Sequence, residues 1–222
     1  MIRAVIFDFD GLILDTEVPE FQTWQEIYGS HGCELPLSVW ATGIGTSSDA
    51  FDPYDYLEAQ IGRVIDREAI QQQRRQRYRE LLKTQAVLPG VREYIAEAKR
   101  LGLRLAVASS SSREWVVGNL TEHGLSPHFD CIKCSDDVLR VKPDPALYQC
   151  AVDALELRPE EAVAFEDSPN GVTAAKRAGL FCVAVPNPLT RQLILTHADL
   201  QLASLAEMPL QRLLEHLERN GQ

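Results

Sequence analysis

The sequence predicts an α/β fold, a doubly wound and mostly parallel sheet with a Rossmann-like core and an inserted all-α segment. From about residue 88 onward, short β-branched runs alternate with helical segments that close at glycine. Strands alternating with helices of about 10–15 residues are typical of right-handed βαβ crossovers, which cover a parallel sheet on both faces. The stretch 16–84 breaks this alternation, because it holds long polar and amphipathic runs and no convincing strand.

The first predicted strand covers residues 2–9, an apolar, β-branched run that ends in an Asp-Gly turn signal. Later runs of the same kind predict the remaining strands, at 103–108, 129–133, 162–165, 181–185 and, at the sheet edge, 199–202. Helical segments with capping residues, proline or glycine at their ends lie between them, at 91–101, 113–123, 145–155, 172–178 and 207–219.

The inserted stretch is predicted to be helical at 21–28, 54–60 and 68–83, with a Gly/Ser/Thr loop at 42–49. A length of 222 residues accommodates one domain with a substantial insertion. We therefore expect an α/β core domain of residues 1–15 and 85–222, and an inserted helical domain of residues 16–84.

The composition is ordinary for a protein that folds in water, with 45% hydrophobic and 24% charged residues and a formal net charge of −10. The acidic balance argues against nucleic acid or an anionic membrane as a partner. No apolar run approaches the ~20 residues of a membrane span, and aspartates interrupt the apolar start, so we expect neither anchor nor signal peptide. Five cysteines, an odd number, favour reduced thiols and a cytoplasmic location. We expect a monomer.

Polar side chains follow the predicted strands where each strand ends. Asp8 lies at the end of the first and Asp10 just after it, Ser109 follows the second, and Glu166 and Asp167 follow the fourth, while Lys142 precedes the helix at 145–155. The carboxyl ends of parallel strands meet at one rim, where ligands bind in open α/β sheets. Clustered carboxylates repel one another, so a cation is expected among them. Oxygen ligands without His or Cys suit Mg²⁺.

Four motifs occur in order at these strand ends: D-F-D-G-L-I-L-D-T-E at 8–17, a hydrophobic strand ending in Ser109, V-K-P-D-P at 141–145 and F-E-D-S at 165–168. In this order they resemble the haloacid dehalogenase-like superfamily of phosphoryl-transfer enzymes, over essentially the whole chain. The helical insertion is similar to the cap of the branch that includes β-phosphoglucomutase and phosphoglycolate-type phosphatases.

The resemblance implies a role for each rim residue. Asp8 is expected to be the nucleophile that forms an aspartyl-phosphate, and Asp10 the general acid and base, with its backbone carbonyl on the metal. Asp167 is expected to bind Mg²⁺ together with Asp8, and Glu166 to bind it directly or through another ligand. Lys142 and Ser109 would stabilise the transferring phosphoryl group.

Each assignment has a structural alternative. The Ser109–Ser112 run also fits a cap for the helix at 113–123, and Ser168 fits a cap for the next helix. Glu17, Thr16 and Ser110 are expected to contact substrate. The alternative for Glu17 is that it only starts the first cap helix. Three further features favour packing or solvation over function: the Cys131/Cys134 pair, the basic run at 74–83, and aromatic residues of the insertion, Trp24, Trp40, Tyr54 and Tyr56.

The substrate class is indicated by an absence: no Lys or Arg occurs between Arg3 and Arg63. A sugar bisphosphate needs a cation at its distal phosphate, and the loop at 42–49 offers none. The sequence therefore favours a phosphatase acting on a small phosphorylated metabolite with one phosphate, such as a sugar phosphate. Two alternatives stay open: a β-phosphoglucomutase-type phosphosugar mutase and, from another class, a response-regulator-like phosphoacceptor.

Overall fold

The computed structural model describes residues 1–40 and 51–220, and its centre is a six-stranded sheet in which every neighbouring pair is parallel. The strand order is β3-β2-β1-β4-β5-β6, the order of a doubly wound Rossmann-like sheet. The predicted fold class is confirmed. The strands are β1 (Ala4–Phe7), β2 (Arg104–Ala108), β3 (Cys131–Lys133), β4 (Ala162–Glu166), β5 (Phe181–Ala184) and β6 (Leu200–Gln201).

Two groups of helices accompany the sheet. The helices that alternate with strands are α5 (Val91–Arg100), α6 (Arg113–Glu122), α7 (Ala146–Ala154), α8 (Pro169–Arg177) and α9 (Leu210–Asn220). The helices between β1 and α5 form the helical insertion, which consists of α1 (Glu17–Ser30), α2 (Leu37–Trp40), α3 (Pro53–Ile61) and α4 (Arg67–Leu82).

The sheet is covered on both faces, because successive side chains of a strand point to opposite sides. In β1, Val5 and Phe7 pack in one hydrophobic cluster with residues of α5, α6 and α9. Ala4 and Ile6 pack in a second cluster with residues of α7 and α8. All four β1 side chains are buried, which explains why this strand is apolar without alternation.

The helical insertion has its own hydrophobic cluster, built around Trp24, Tyr28 and Leu57. Trp24 meets Tyr54 edge-on with ring centroids 4.8 Å apart. Trp40 and Tyr56 pack against the same cluster, so packing between helices accounts for the aromatic residues singled out in the sequence. Helix α2 was not predicted, and the loop expected at 42–49 lies outside the described residues. The domain boundaries at 15/16 and 84/85 stay a prediction.

The two chain segments that join the insertion to the core run side by side. The Leu88 N–H donates to the Ile13 carbonyl at 2.9 Å, and Leu14 pairs with Val87 in an antiparallel bridge. The insertion is therefore attached through one paired connection next to the end of β1.

Some of the arginines in the basic run of α4 form ion pairs. Arg74 pairs with Glu20 of α1 and lies over the Trp24 ring, and Arg77 pairs with Glu26 at 2.9 Å. These contacts are typical of a helix that packs against its neighbour and is otherwise solvated. They argue against the interpretation of the basic run as a nucleic-acid surface.

All five cysteines are free thiols, and Cys131 and Cys134 pack in the clusters on opposite faces of the sheet. Core packing therefore accounts for this pair.

Among the described residues, no helix has both the length and the apolar character to cross a membrane.

Candidate active site

The site lies where β1, β2 and β4 end, the point at which the strand order reverses direction. Asp8 directly follows β1, and its N–H donates to the Phe165 carbonyl of β4 at 3.0 Å. Ser109 and Asp167 directly follow β2 and β4. A cavity of about 580 Å³ opens above these ends, and its lining includes Asp8, Asp10, Lys142 and Asp167. The predicted rim residues are therefore brought together.

A buried ion pair forms the floor of the cavity. Lys142 Nζ donates to Asp8 Oδ1 at 2.6 Å and lies 2.6 Å from Glu166 Oε1. All three side chains are at most 8% exposed. Burial, together with the charge of Glu166, raises the pKa of Asp8 to about 8. Although burial opposes its charge, the two carboxylates raise the pKa of Lys142.

Three buried carboxylates share this floor. Asp8, Glu166 and Asp167 each offer an oxygen, and these oxygens lie within 4.8 Å of one another. Burial, with the charge of Asp8, raises the pKa of Asp167 well above its ordinary value. One lysine cannot balance three carboxylates, and oxygen donors are the ligands of hard divalent cations. The residues present therefore fit a divalent metal ion.

Glu166 is held by partners at both of its oxygens. Oε1 accepts from the Tyr148 hydroxyl at 2.6 Å as well as lying beside Lys142. Oε2 accepts from the Asp167 N–H at 3.2 Å and from Ser168 Oγ at 3.4 Å. The side chain thus orients Lys142 and Asp167, whatever further part it takes in metal binding.

The Asp10 carboxylate is held by α6 and the loop before it. Its Oδ2 accepts from Ser111 Oγ at 2.6 Å and from Ser109 Oγ at 3.3 Å. Its Oδ1 accepts from the Trp115 indole N–H at 2.9 Å. Gly11, with φ +78°, turns the chain after Asp10, and a Cβ there would collide with the Asp167 carboxylate.

The four serines at positions 109–112 have different roles. Ser112 is the N-cap of α6 and accepts from the Trp115 N–H, so Ser109 is not needed as a cap. Ser109 is completely buried beneath the cavity, whereas Ser110 and Ser111 line it. Ser168 accepts from the Gly171 N–H as the N-cap of α8, as predicted.

The helical insertion closes one side of the cavity with Thr16, Glu17, Glu20 and Tyr78. Asp15 Oδ1 accepts from the Val18 N–H at 3.0 Å and so starts α1. The Glu17 carboxylate accepts no such bond from any residue that the structure describes, and Glu17 lines the cavity. Burial, then the charges of Asp10 and other nearby carboxylates, raises the pKa of Glu17 to about 7.

Comparison with known proteins assigns the family. A family model described as haloacid dehalogenase-like hydrolase matches residues 5–185, which include every rim residue named above. The chain belongs to the haloacid dehalogenase-like hydrolases.

Several relatives of this hydrolase match it along most of their length. YhcW of Bacillus subtilis (strain 168) is 50% identical over 217 residues, covering 98% of each chain. The phosphorylated carbohydrates phosphatase of Thermotoga maritima (strain ATCC 43589 / DSM 3109 / JCM 10099 / NBRC 100826 / MSB8) is 32% identical over 181 residues, covering 81% of this chain and 82% of its own.

A crystal structure of CbbY from Rhodobacter sphaeroides in complex with phosphate is similar with a TM-score of 0.69 and 32% identity, covering 93% of this chain and 96% of that one. The hydrolase is accordingly a phosphatase of its family.

Sequence reasoning missed several residues of the hydrolase site: Ser111, Trp115 and Tyr148. It also missed Asn187, whose Nδ2 donates to Asp167 Oδ2 at 2.7 Å. Asn187 follows β5, so inspecting the end of that strand would have found it. Tyr148 lies in the apolar pattern of α7, which gave no signal beyond core packing.

Proposed function

We propose that this phosphatase hydrolyses a small organic monophosphate, in particular a sugar phosphate, with Mg²⁺ and through an aspartyl-phosphate on Asp8. The observation that carries the proposal is the buried Asp8–Lys142 contact of 2.6 Å beside an oxygen-only cluster at the end of β1. A carboxylate in this position can reach phosphorus, and the neighbouring ammonium balances the charge of the phosphoryl oxygens.

In the first step, an Asp8 oxygen forms a bond to phosphorus while the bond from phosphorus to the ester oxygen breaks. Asp10 gives its proton to the departing alkoxide, which leaves as an alcohol. In the second step, Asp10 takes a proton from water as the water oxygen bonds to phosphorus, and the Asp8–phosphate bond breaks. Ser110 and Lys142, which line the cavity, hold the phosphoryl oxygens in both steps, and Ser109, buried directly beneath them, is the proposed third contact.

The metal ion would be held by Asp8, Asp167 and the backbone carbonyl of Asp10. Glu166 would bind it directly or through another ligand. Bound Mg²⁺ supplies charge neutralisation that lets one anion approach another. The oxygen-only donor set supports Mg²⁺ over metals that prefer nitrogen or sulfur.

The sugar phosphate part of the proposal draws on two observations. A relative is a phosphatase of phosphorylated carbohydrates, and the cavity of about 580 Å³ accommodates a leaving group of that size. The absence of Lys and Arg between Arg3 and Arg63 in the sequence supports a substrate with a single phosphate.

The five free cysteines support the proposed cytoplasmic location, and we retain the monomer as a proposal.

The test is hydrolysis of p-nitrophenyl phosphate with Mg²⁺ and with EDTA, in the wild type, in Asp8→Asn and in Asp153→Asn. Asp153 is exposed on α7 and serves as the matched control. We expect turnover that requires Mg²⁺, its loss in Asp8→Asn and normal turnover in Asp153→Asn. No hydrolysis by the wild type, or undiminished hydrolysis by Asp8→Asn, contradicts the proposal.

A second assay separates hydrolysis from the mutase alternative. The enzyme is given β-glucose 1-phosphate with a catalytic amount of glucose 1,6-bisphosphate. A phosphatase releases inorganic phosphate, whereas a mutase accumulates glucose 6-phosphate. Accumulation of glucose 6-phosphate without phosphate release would establish the mutase.

A further inference from the structure

Thr16 carries a buried hydroxyl without a hydrogen-bond partner among the described residues. Thr16 is 3% exposed, lines the active-site cavity and occupies the N-cap position of α1. An N-cap threonine ordinarily accepts a hydrogen bond from the first turn of its helix. Here Asp15 accepts from Val18 instead. Because a buried hydroxyl without a partner is costly, the Thr16 hydroxyl is available for a ligand.

The next residue places an unpaired carboxylate on the same wall. The Glu17 carboxylate makes no hydrogen bond or ion pair with any described residue, although Glu17 is largely shielded from solvent and lines the cavity. Its neighbour Glu20 differs, because Glu20 is paired with Arg74 of α4. Nothing in the described part of the protein therefore balances Glu17, and a hydrogen-bond donor on a ligand could do so.

We propose that Thr16 and Glu17 form a subsite for a hydroxyl group on the leaving-group side of the substrate, which makes the substrate a polyol or sugar monophosphate. This inference rests on the proposed phosphatase function. A hydroxyl accepts one hydrogen bond and donates another, so it can accept from Thr16 Oγ1 and donate to the Glu17 carboxylate. An alkyl leaving group offers neither contact and leaves both side chains unpaired.

The same wall disfavours a second phosphate. The described residues of the helical insertion that line the cavity are Thr16, Glu17, Glu20 and Tyr78, which include two carboxylates and no lysine or arginine. A distal phosphate would approach Glu17 without a compensating cation, and like charges in a partly buried site repel strongly. The subsite therefore selects for hydroxyls and against bisphosphates.

The experiment compares kcat/KM for three probes that share a six-carbon chain: D-glucitol 6-phosphate, n-hexyl phosphate and D-glucitol 1,6-bisphosphate. For the wild type we expect the first to exceed each of the others by roughly tenfold or more, since a site built to bind hydroxyls rejects analogues that lack them. Thr16→Val and Glu17→Leu should each lower the glucitol-to-hexyl ratio roughly tenfold. Glu17→Gln should lower the monophosphate-to-bisphosphate ratio.

Each ratio is measured on one preparation, so a partly unfolded variant does not distort it. Thr121→Val removes an exposed hydroxyl of α6 and should leave every ratio unchanged. Equal kcat/KM values for glucitol and hexyl phosphates, unchanged ratios in the variants, or a preference for the bisphosphate would overturn the subsite while hydrolysis itself stands. If the wild type hydrolyses neither these probes nor p-nitrophenyl phosphate, the proposed function fails and the subsite fails with it.

Discussion

The indole N–H of Trp115 donates a hydrogen bond to the Asp10 carboxylate at 2.9 Å, and the Trp115 ring stacks on Tyr78 of α4. The ring centroids lie 5.8 Å apart with an interplanar angle of 16°. Tyr78 in turn donates from its hydroxyl to the Thr16 carbonyl at 3.2 Å. A continuous set of contacts therefore connects the proposed acid and base to the helical insertion.

Replacing Trp115 by Phe removes the indole N–H but keeps an aromatic ring against Tyr78. We expect Asp10 to lose part of its orientation, so that kcat/KM for an alkyl monophosphate falls roughly tenfold. The loss for p-nitrophenyl phosphate should be smaller, because p-nitrophenolate leaves without a proton from Asp10. Since kcat/KM reports the steps up to phosphoryl transfer, the two substrates separate the effects. Equal losses for both would contradict a positioning role for Trp115.

Replacing Asp10 by Asn should separate the two chemical steps. Asp8 of this variant should still be phosphorylated slowly by p-nitrophenyl phosphate, while turnover falls by roughly 10²–10⁴-fold, because no base activates water. Rapid-quench measurement of p-nitrophenol release, with acid trapping of phosphoprotein, checks this. Normal turnover of alkyl phosphates by Asp10→Asn would show that the acid and base assignment is wrong.

The sequence was sufficient to predict the residues whose place depends on topology alone. Asp8, Ser109 and Asp167 directly follow strands, and parallel order brings strand ends together whatever the details of packing. The strand β1 is shorter than predicted, Ala4–Phe7 against 2–9, because its ladder ends before Asp8. Helix α2 escaped prediction because four residues contain barely one helical turn, too little for a periodic pattern.

The contacts that orient the site could not be read from the sequence, because they depend on which faces of distant helices meet. Trp115 and Tyr78 are 37 positions apart on α6 and α4, and their stacking follows from how the helical insertion packs on the core. Tyr148 looks like any core aromatic until its hydroxyl is found on Glu166. Asp15 and Thr16 are both suitable caps for α1, and only the structure shows that Asp15 takes this role.

The raised pKa of Asp8 predicts how the metal-free protein responds to pH. Its ordinary value is 3.8, and burial with the charge of Glu166 raises the folded-state pKa to about 8. Between these values the folded protein retains a proton that the unfolded chain has lost. The contribution of Asp8 to stability is therefore complete below about pH 4 and is lost as the pH rises through 8.

Mg²⁺ should reverse this loss, because it binds the carboxylate form. We expect Mg²⁺ to raise Tm by roughly 2–4 °C more at pH 8 than at pH 6, where it must displace protons. Thermal unfolding with EDTA and with Mg²⁺ at both pH values measures the difference. Asp8→Asn, which lacks the titrating group, should show a smaller pH effect. A larger Tm increase at pH 6 than at pH 8 would contradict the assignment of the metal to these carboxylates.

Gly171 tests how strictly Glu166 must be held. It lies in the first turn of α8, and a Cβ at this position would collide with the carboxylate carbon and both carboxylate oxygens of Glu166. Glu166 could then no longer keep both Tyr148 and Lys142 as partners. We expect Gly171→Ala to destabilise the fold by about 1–3 kcal/mol through overpacking. It should also lower kcat at least tenfold, because a misplaced Lys142 weakens stabilisation of the phosphoryl oxygens.

Gly118→Ala provides the matched control. Gly118 lies within α6, and a Cβ there would meet no atom of the described residues within 4 Å. Alanine in an exposed helix interior is favoured over glycine by about 1 kcal/mol, so this variant should be slightly more stable and fully active. Urea unfolding and steady-state kinetics on both variants measure the contrast. If Gly171→Ala matched Gly118→Ala in stability and kcat, Glu166 would not need its present position, and its role in orienting Lys142 would be refuted.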